Sequence, residues 1–168
     1  MQNFQQQLVA LLPRLRRFAL ALCHSQHEAE DLVQNAVERA LRNWQSWQAG
    51  TALDSWMYKI IQNLWRDELR AHRRRSEPLD DAAEMAGEDG RDVMLHHIQC
   101  AEARAALAAL PEEQRLVVAL VVLDGKSYQE AAEILAIPSG TIMSRLARAR
   151  AKLASSLDQG ARKRGAVQ

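Results

Sequence analysis

The most constraining segment of this sequence is SYQEAAEILAIPSGTIMSRLARARAKL, residues 127–153, which has the pattern of two short helices joined by a tight turn. Ser127 is placed to cap the first helix, and Glu130 three residues later completes a capping box. Pro138, Ser139 and Gly140 supply the break and restart between the helices. The segment therefore predicts a helix-turn-helix, the motif that places its second helix in the major groove of DNA.

The second helix of this segment carries two faces at helical spacing. The inward face is apolar and consists of Ile142, Leu146, Ala149 and Leu153. The neighbouring face is polar and consists of Thr141, Arg145, Arg148 and Lys152. Hydroxyl and guanidinium groups in such a row can reach phosphates and base edges, which predicts a DNA-reading face. The alternative is that the arginines only solvate an exposed helix.

A second informative pattern lies in residues 53–75. The predicted inward stripe consists of Leu53, Met57, Ile60, Ile61 and Leu64. The predicted outward stripe consists of Trp56, Lys59, Asn63, Arg66, Arg70 and Arg73. Aromatic rings stack on unpaired bases while cations follow the backbone, so this stripe indicates contact with single-stranded nucleic acid. The alternative places Trp56 in the core and the arginines on a solvated helix end. The other three tryptophans are predicted to be core or helix-packing residues: Trp44, Trp47 and Trp65.

Residues 28–44 form a further amphipathic segment. Its polar stripe consists of Asp31, Gln34, Glu38 and Arg42. Such a stripe is either a protein-docking surface or a plain solvated face, and spacing alone favours the solvated face.

Composition limits the class of protein. The chain has 168 residues, of which 48% are hydrophobic, as expected for an ordinary soluble protein. Its start lacks the charge and cleavage pattern of a secretory signal, and no apolar run is long enough to span a bilayer, so we expect a cytoplasmic protein without membrane insertion. Strand patterns are almost absent, and the acidic residues 76–92 have the composition of a flexible linker. The prediction is an all-α chain of two small helical domains.

Two clusters of cysteine and histidine residues are candidates for a metal or redox site. Two cysteines are too few for a disulfide scaffold, and buried thiols are the simpler interpretation. The candidate ligands fall in two segments, with Cys23, His24 and His27 in one and His96, His97 and Cys100 in the other. They do not make a compact set of four ligands, so we expect no metal and no cofactor.

Three stretches together carry a family resemblance. They are AEDLVQNAVERAL at residues 29–41, W-x-Y-x-I-x-x-N-x-x-x-D at residues 56–67, and LPEEQRLVVAL with SYQEAA and GTIMSRLARAR within residues 110–150. In this order and spacing they closely resemble bacterial sigma factors of the extracytoplasmic-function (ECF) group. The resemblance implies a subunit that binds core RNA polymerase, directs it to a promoter, helps to open the duplex and is then released. It implies no catalytic residues, so the chain is not expected to be an enzyme.

The resemblance assigns roles by position. Asp31, Gln34 and Glu38 match the surface that docks on the beta-prime clamp helices, and the family also contacts the beta flap. The loop 47–54 and helix 55–75 match the part that reads the minus-ten element and holds a flipped base, through the outward stripe from Trp56 to Arg73. The helix-turn-helix matches the module that reads the minus-thirty-five element, through Ser139, Thr141, Ser144, Arg145 and Arg148.

The implied organisation has three parts. Residues 1–75 form a region-two-like domain, residues 76–92 an acidic flexible linker that would run toward the RNA exit path, and residues 93–168 a region-four-like domain. The family also implies an anti-sigma factor as partner. Two departures bear on promoter sequence: Met143 stands where many members have a basic residue, and the loop 50–54 is less basic.

Two other classes of protein remain open at this point. A free-standing helix-turn-helix regulator would bind duplex DNA unaided, usually as a dimer. The second nucleic-acid face and the lack of an evident dimer helix argue against it. A sigma-like decoy would bind an anti-sigma protein without touching DNA, but it would not need the basic and aromatic stripe.

Overall fold

The computed structural model describes residues 2–48, 50–75 and 101–165. Helix α1 spans Gln2–Leu22, α2 spans Gln26–Arg42 and α3 spans Leu53–Arg75, with a single 3₁₀ turn at Trp44–Ser46. These three helices make up the N-terminal module. Residues 76–100 lie outside the described residues, and they contain the whole of the predicted linker and the start of the predicted region-four-like domain.

The C-terminal module contains four helices in the described part of the chain. Helix α4 covers residues 101–108, α5 spans Glu112–Val118 and continues as a π-helical segment at Ala119–Leu123, and α6 and α7 span Tyr128–Leu135 and Ser139–Gly165. Across both modules the described residues include no strand, which confirms the all-α prediction. Among them, no helix combines the length and apolar character needed to cross a membrane.

The turn between α6 and α7 differs in one detail from the sequence prediction. Ser127 and Glu130 form the predicted capping box, with each side chain accepting from the other residue's backbone N–H. Helix α6 ends at Leu135, and the next residue, Ala136, adopts a left-handed conformation with φ of 54°, two residues before the predicted break at Pro138. A left-handed alanine is strained relative to glycine, so the packing of both helices holds this turn in place.

The buried faces follow the predicted periodicity. On α7, Ile142, Leu146 and Ala149 are fully buried, and on α3 the predicted inward stripe faces the core, with Ile60 and Leu64 partly buried. Trp65 is buried, which confirms its prediction as a core residue. On α2, the apolar side chain of Leu41 is exposed in the last turn of the helix.

The two modules pack directly against each other. Helices α1 and α3 contact the π-helical segment and α6, and the buried apolar residues of both modules form one contiguous cluster. The contiguous core forms because α1 and α3 have apolar surface beyond what their own three-helix module covers, and the C-terminal module buries it.

Candidate nucleic-acid and polymerase interfaces

The predicted minus-ten stripe lies along one side of α3. Lys59, Asn63, Arg70 and Arg73 are exposed there, while Trp56 and Arg66 are partly buried. The Trp56 ring makes an edge contact with Phe4, with centroids 6.2 Å apart, so α1 fixes one side of the ring. A half-buried, positioned ring with cations along the same helix is suited to stacking on a base.

The opposite side of α3 explains why this stripe faces outward. Tyr58, Gln62 and Trp65 are buried there, and the Tyr58 ring packs on Phe18 with centroids 4.7 Å apart. Rotating α3 to bury the cationic stripe would expose these three large side chains to water. The burial of this side therefore sets the orientation of the stripe.

Carboxylate and amide groups cover the outer face of α2. Asp31, Gln34 and Glu38 are all exposed, and their contacts stay within the helix. His27 Nε2 lies 3.4 Å from Asp31 Oδ2, and Gln34 Nε2 lies 3.4 Å from Glu38 Oε1. Arg42 Nη2 lies 3.6 Å from Glu38 Oε2. Exposed pairs of this kind contribute little to stability. The carboxylates are thus available to a partner at small cost.

The predicted minus-thirty-five residues on α7 divide into two groups. Ser139, Ser144 and Arg148 are exposed, Thr141 is partly buried, and Met143 is exposed on the same side. Arg145 instead turns toward α5, where its Nη2 lies 2.8 Å from Glu113 Oε2, and only 18% of its side chain is exposed. The periodicity that grouped Arg145 with Arg148 could not show this pairing.

Two glutamates that the sequence analysis did not single out contact residues of both predicted nucleic-acid faces. Glu112 and Glu113 are the first two residues of α5, where a carboxylate is favoured by the helix dipole. Glu112 forms an ion pair with Arg73 of α3, and Glu113 forms one with Arg145 of α7. Consecutive carboxylates thus hold one predicted DNA-contacting arginine from each module. The only sequence indication was the paired acidic residues after Pro111.

The Cys and His side chains considered as candidate metal ligands are only partly described. Among the residues that the structure describes, no group of three or more His, Cys, Asp or Glu side chains could hold a metal ion. His96, His97 and Cys100 lie outside those residues.

Cys23 is expected to be an unreactive thiol. Burial, with a smaller contribution from the charge of Glu28, raises its pKa from 9.0 to about 12. At neutral pH the thiolate fraction is then about a thousandfold lower than that of an ordinary thiol. In a Cys100→Ser variant, we expect a thiol reagent to react at least about 100-fold more slowly with the folded protein than with protein unfolded in denaturant. Equal rates would show that Cys23 is accessible and open to oxidation.

Comparison with known protein families shows which proteins this chain is similar to. The family profile described as Sigma-70 region 2 matches residues 8–75, and the profile described as Sigma-70, region 4 matches residues 100–153. The chain is 39% identical over 157 residues to the ECF RNA polymerase sigma factor EcfG of Rhodopseudomonas palustris, covering 92% of this chain and 85% of that protein. It is 37% identical over 144 residues to the ECF sigma factor SigE of Mycolicibacterium smegmatis, covering 83% of this chain and 56% of that protein.

Solved structures agree with these sequence matches. The sigma factor RpoE of Bartonella quintana, crystallised with the anti-sigma factor NepR, superposes with a TM-score of 0.78 at 30% identity, covering 94% of this chain and 98% of that one. CnrH, solved with the cytosolic domain of CnrY, superposes with a TM-score of 0.71 at 23% identity, covering 94% and 89%, and shows the same fold. The chain belongs to the ECF group of bacterial RNA polymerase sigma factors.

Proposed function

We propose that this sigma factor docks on core RNA polymerase through the outer face of α2 and reads two promoter elements with two separate helical faces. The observation that supports the proposal is that α2, α3 and α7 each present a distinct polar face on one scaffold. Asp31, Gln34 and Glu38 would contact the beta-prime clamp helices, and the C-terminal module would contact the beta flap. Residues 1–75 and 93–168 are the proposed functional domains, with residues 76–92 as linker.

The α3 stripe is proposed to bind the minus-ten element as melted DNA. Trp56 supplies the stacking surface, Asn63 an amide for a base edge, and Lys59, Arg66, Arg70 and Arg73 the cations along the backbone. The α7 face is proposed to bind the minus-thirty-five element as duplex. Ser139, Thr141, Ser144 and Arg148 reach phosphates or base edges directly, whereas Arg145 must first leave Glu113.

Tethering two weak DNA contacts through the polymerase supplies affinity that neither module has alone. Linked sites raise each other's effective concentration, so recognition depends on the spacing of the two elements. The role requires no catalytic side chain, and we infer a non-enzymatic factor that acts with core polymerase in the cytoplasm. An anti-sigma factor is the proposed regulator, since the superposing RpoE and CnrH structures were solved with NepR and with the cytosolic domain of CnrY.

Arg148 and Arg145 should differ in their effect on the upstream element. Arg148→Ala is expected to weaken binding of polymerase containing this chain by about 1 to 3 kcal/mol if the side chain reads a base. Arg145→Ala should cost less, because the wild-type side chain must give up its 2.8 Å pair with Glu113 before it can reach DNA. Binding of promoter fragments with and without the upstream element measures both effects. A larger loss for Arg145→Ala would contradict this ranking.

The proposal is tested by selecting, from a pool of host genomic DNA fragments, those that bind core polymerase carrying this chain. Fragments retained by core polymerase with this chain should share two short motifs at a fixed spacing, and the chain alone should retain few of them. Retention by the chain alone of fragments with one palindromic motif would favour a free-standing regulator. No binding to either core polymerase or DNA would favour a decoy for an anti-sigma factor.

A further inference from the structure

The interface between the two modules contains a chain of alternating charges. Arg14 of α1 and Asp54 of α3 come from the N-terminal module, and Asp124 and Lys126 come from the loop between the π-helical segment and α6. We call these four side chains the ionic chain. It runs from Lys126 to Asp54, from Asp54 to Arg14, and from Arg14 to Asp124.

The geometry of the ionic chain is tight and largely withdrawn from water. Arg14 contacts both oxygens of Asp124, with Nε at 3.0 Å and Nη2 at 2.8 Å, and Asp54 Oδ2 accepts from Arg14 Nη2 at 3.0 Å and from Lys126 Nζ at 2.5 Å. The exposed fractions of the Lys126, Asp124 and Asp54 side chains are 8%, 6% and 15%, and that of the central Arg14 is 34%. Burial alone would raise the pKa of Asp54, but the hydrogen bond and charge of Lys126, helped by Ser55 N–H and Arg14, outweigh it and lower the pKa below its usual value.

Arg115 makes a second polar contact between the modules. Its residue is 6% exposed, and its guanidinium donates to the carbonyls of Leu22, Ala108 and Leu110 at 2.6 to 3.0 Å. It also lies over the Trp65 ring, 5.6 Å from the centroid. Leu22 ends α1, Trp65 belongs to α3, Ala108 ends α4 and Arg115 itself lies on α5, so one buried cation joins four helices of the two modules.

In an interface built from buried ion pairs, the free energy of pairing and the free energy of hydration nearly cancel, so the contact can open and close reversibly. Buried ions lose hydration on closing and regain it on opening, so an intact ion pair contributes little net free energy while removal of one partner costs much. A third intermodule pair, between Glu112 and Arg73, engages a predicted DNA-binding side chain. Closure and DNA contact by Arg73 therefore compete for the same guanidinium.

The closed chain is too short to reach both proposed promoter elements. By their names the minus-ten and minus-thirty-five elements lie about 25 base pairs apart, which is about 85 Å of duplex at about 3.4 Å per base pair. A compact chain of 168 residues has a radius of gyration of about 15 Å, and its longest described helix, α7, has 27 residues and so measures about 40 Å. The two modules must therefore separate before both elements can be read on one promoter.

We propose that the ionic chain is a latch that holds the free sigma factor in a closed, autoinhibited state, and that engagement of core polymerase breaks it. The inhibitory role rests on the proposed function, whereas the latch itself is a property of the free chain. Fluorescence energy transfer between dyes at Gln26 of α2 and Lys152 of α7, both exposed, reports closure without polymerase. The full-length chain should give one high-transfer population.

Two variants outside the proposed binding surfaces test the latch. Lys126→Met removes one of the two cationic partners of Asp54, and Asp124→Asn removes one of the two anionic partners of Arg14. We expect each variant to raise the ratio of open to closed molecules at least about tenfold. Glu133→Gln is the matched control, because it removes one exposed carboxylate of α6 that contacts only Gln129. Circular dichroism melting checks that each variant is folded. X-ray scattering of unlabelled protein checks that the dyes do not change the dimensions of the chain.

The outcomes separate the latch from the proposed function. A low-transfer wild-type chain would overturn closure of the free protein, and folded variants that stay closed would overturn the latch. If the variants open but bind core polymerase no faster than wild type, the autoinhibitory role is wrong. Open variants with no binding of any form to core polymerase would support the latch and overturn the proposed function.

Discussion

Reversing the charge of the α2 face should abolish docking on core polymerase. In a chain carrying both Asp31→Lys and Glu38→Lys, the dissociation constant for core polymerase is expected to rise at least about 100-fold, because two attractive contacts become repulsive. Both carboxylates are exposed and pair only with neighbours on their own helix, so the fold should be retained. Association measured with labelled chain and purified core polymerase gives the constant.

The matched control for this double variant lies on the same helix. Glu30 is exposed and pairs with Gln26, so Glu30→Lys reverses a charge on α2 that is not among the three residues proposed to dock. It should bind core polymerase within a few-fold of wild type. If Glu30→Lys weakened binding as much as the double variant, the effect would reflect net charge and not a defined surface.

Loss of the Trp56 ring should impair promoter opening more than closed binding. Trp56→Ala is expected to remove about 1 to 3 kcal/mol of stacking on a melted base. Transcription from a duplex promoter should fall accordingly, whereas a template already mismatched across the minus-ten element should restore most of the activity. The paired comparison of duplex and mismatched templates measures the defect at the melting step.

Another tryptophan of the same module is the control for Trp56. Trp44 is partly buried and packs on the core, and it belongs to the 3₁₀ turn and not to the α3 stripe. Trp44→Ala should lower thermal stability without a difference between the two templates. No rescue of Trp56→Ala by the mismatched template would show that Trp56 acts through packing against Phe4 and not through DNA.

Much of the fold followed from local sequence patterns. The capping box of α6, the buried face of α7 and the burial of Trp65 are set by spacing and by residue type, both of which can be read from neighbouring positions. The left-handed Ala136 was not predicted, because alanine has no intrinsic preference for that conformation and adopts it only when tertiary packing requires it.

Contacts between distant residues could not be predicted in the same way. Arg14 and Asp124 are 110 positions apart, and nothing in the periodicity of α1 distinguishes Arg14 from the solvated Arg16 and Arg17. Likewise, the spacing on α7 made Arg145 and Arg148 equivalent, and only the position of α5 directs Arg145 to Glu113. The candidate DNA faces were thus visible in the sequence, but their engagement by internal carboxylates was not.

Run-off transcription with purified core polymerase on host genomic fragments tests the central claim most directly. With this chain present, discrete new transcripts should appear, their starts should lie downstream of two motifs at fixed spacing, and the Asp31→Lys, Glu38→Lys variant should eliminate them. Transcripts that are the same with and without the chain, at concentrations where it is folded and monodisperse, would contradict its assignment as the subunit that selects these promoters.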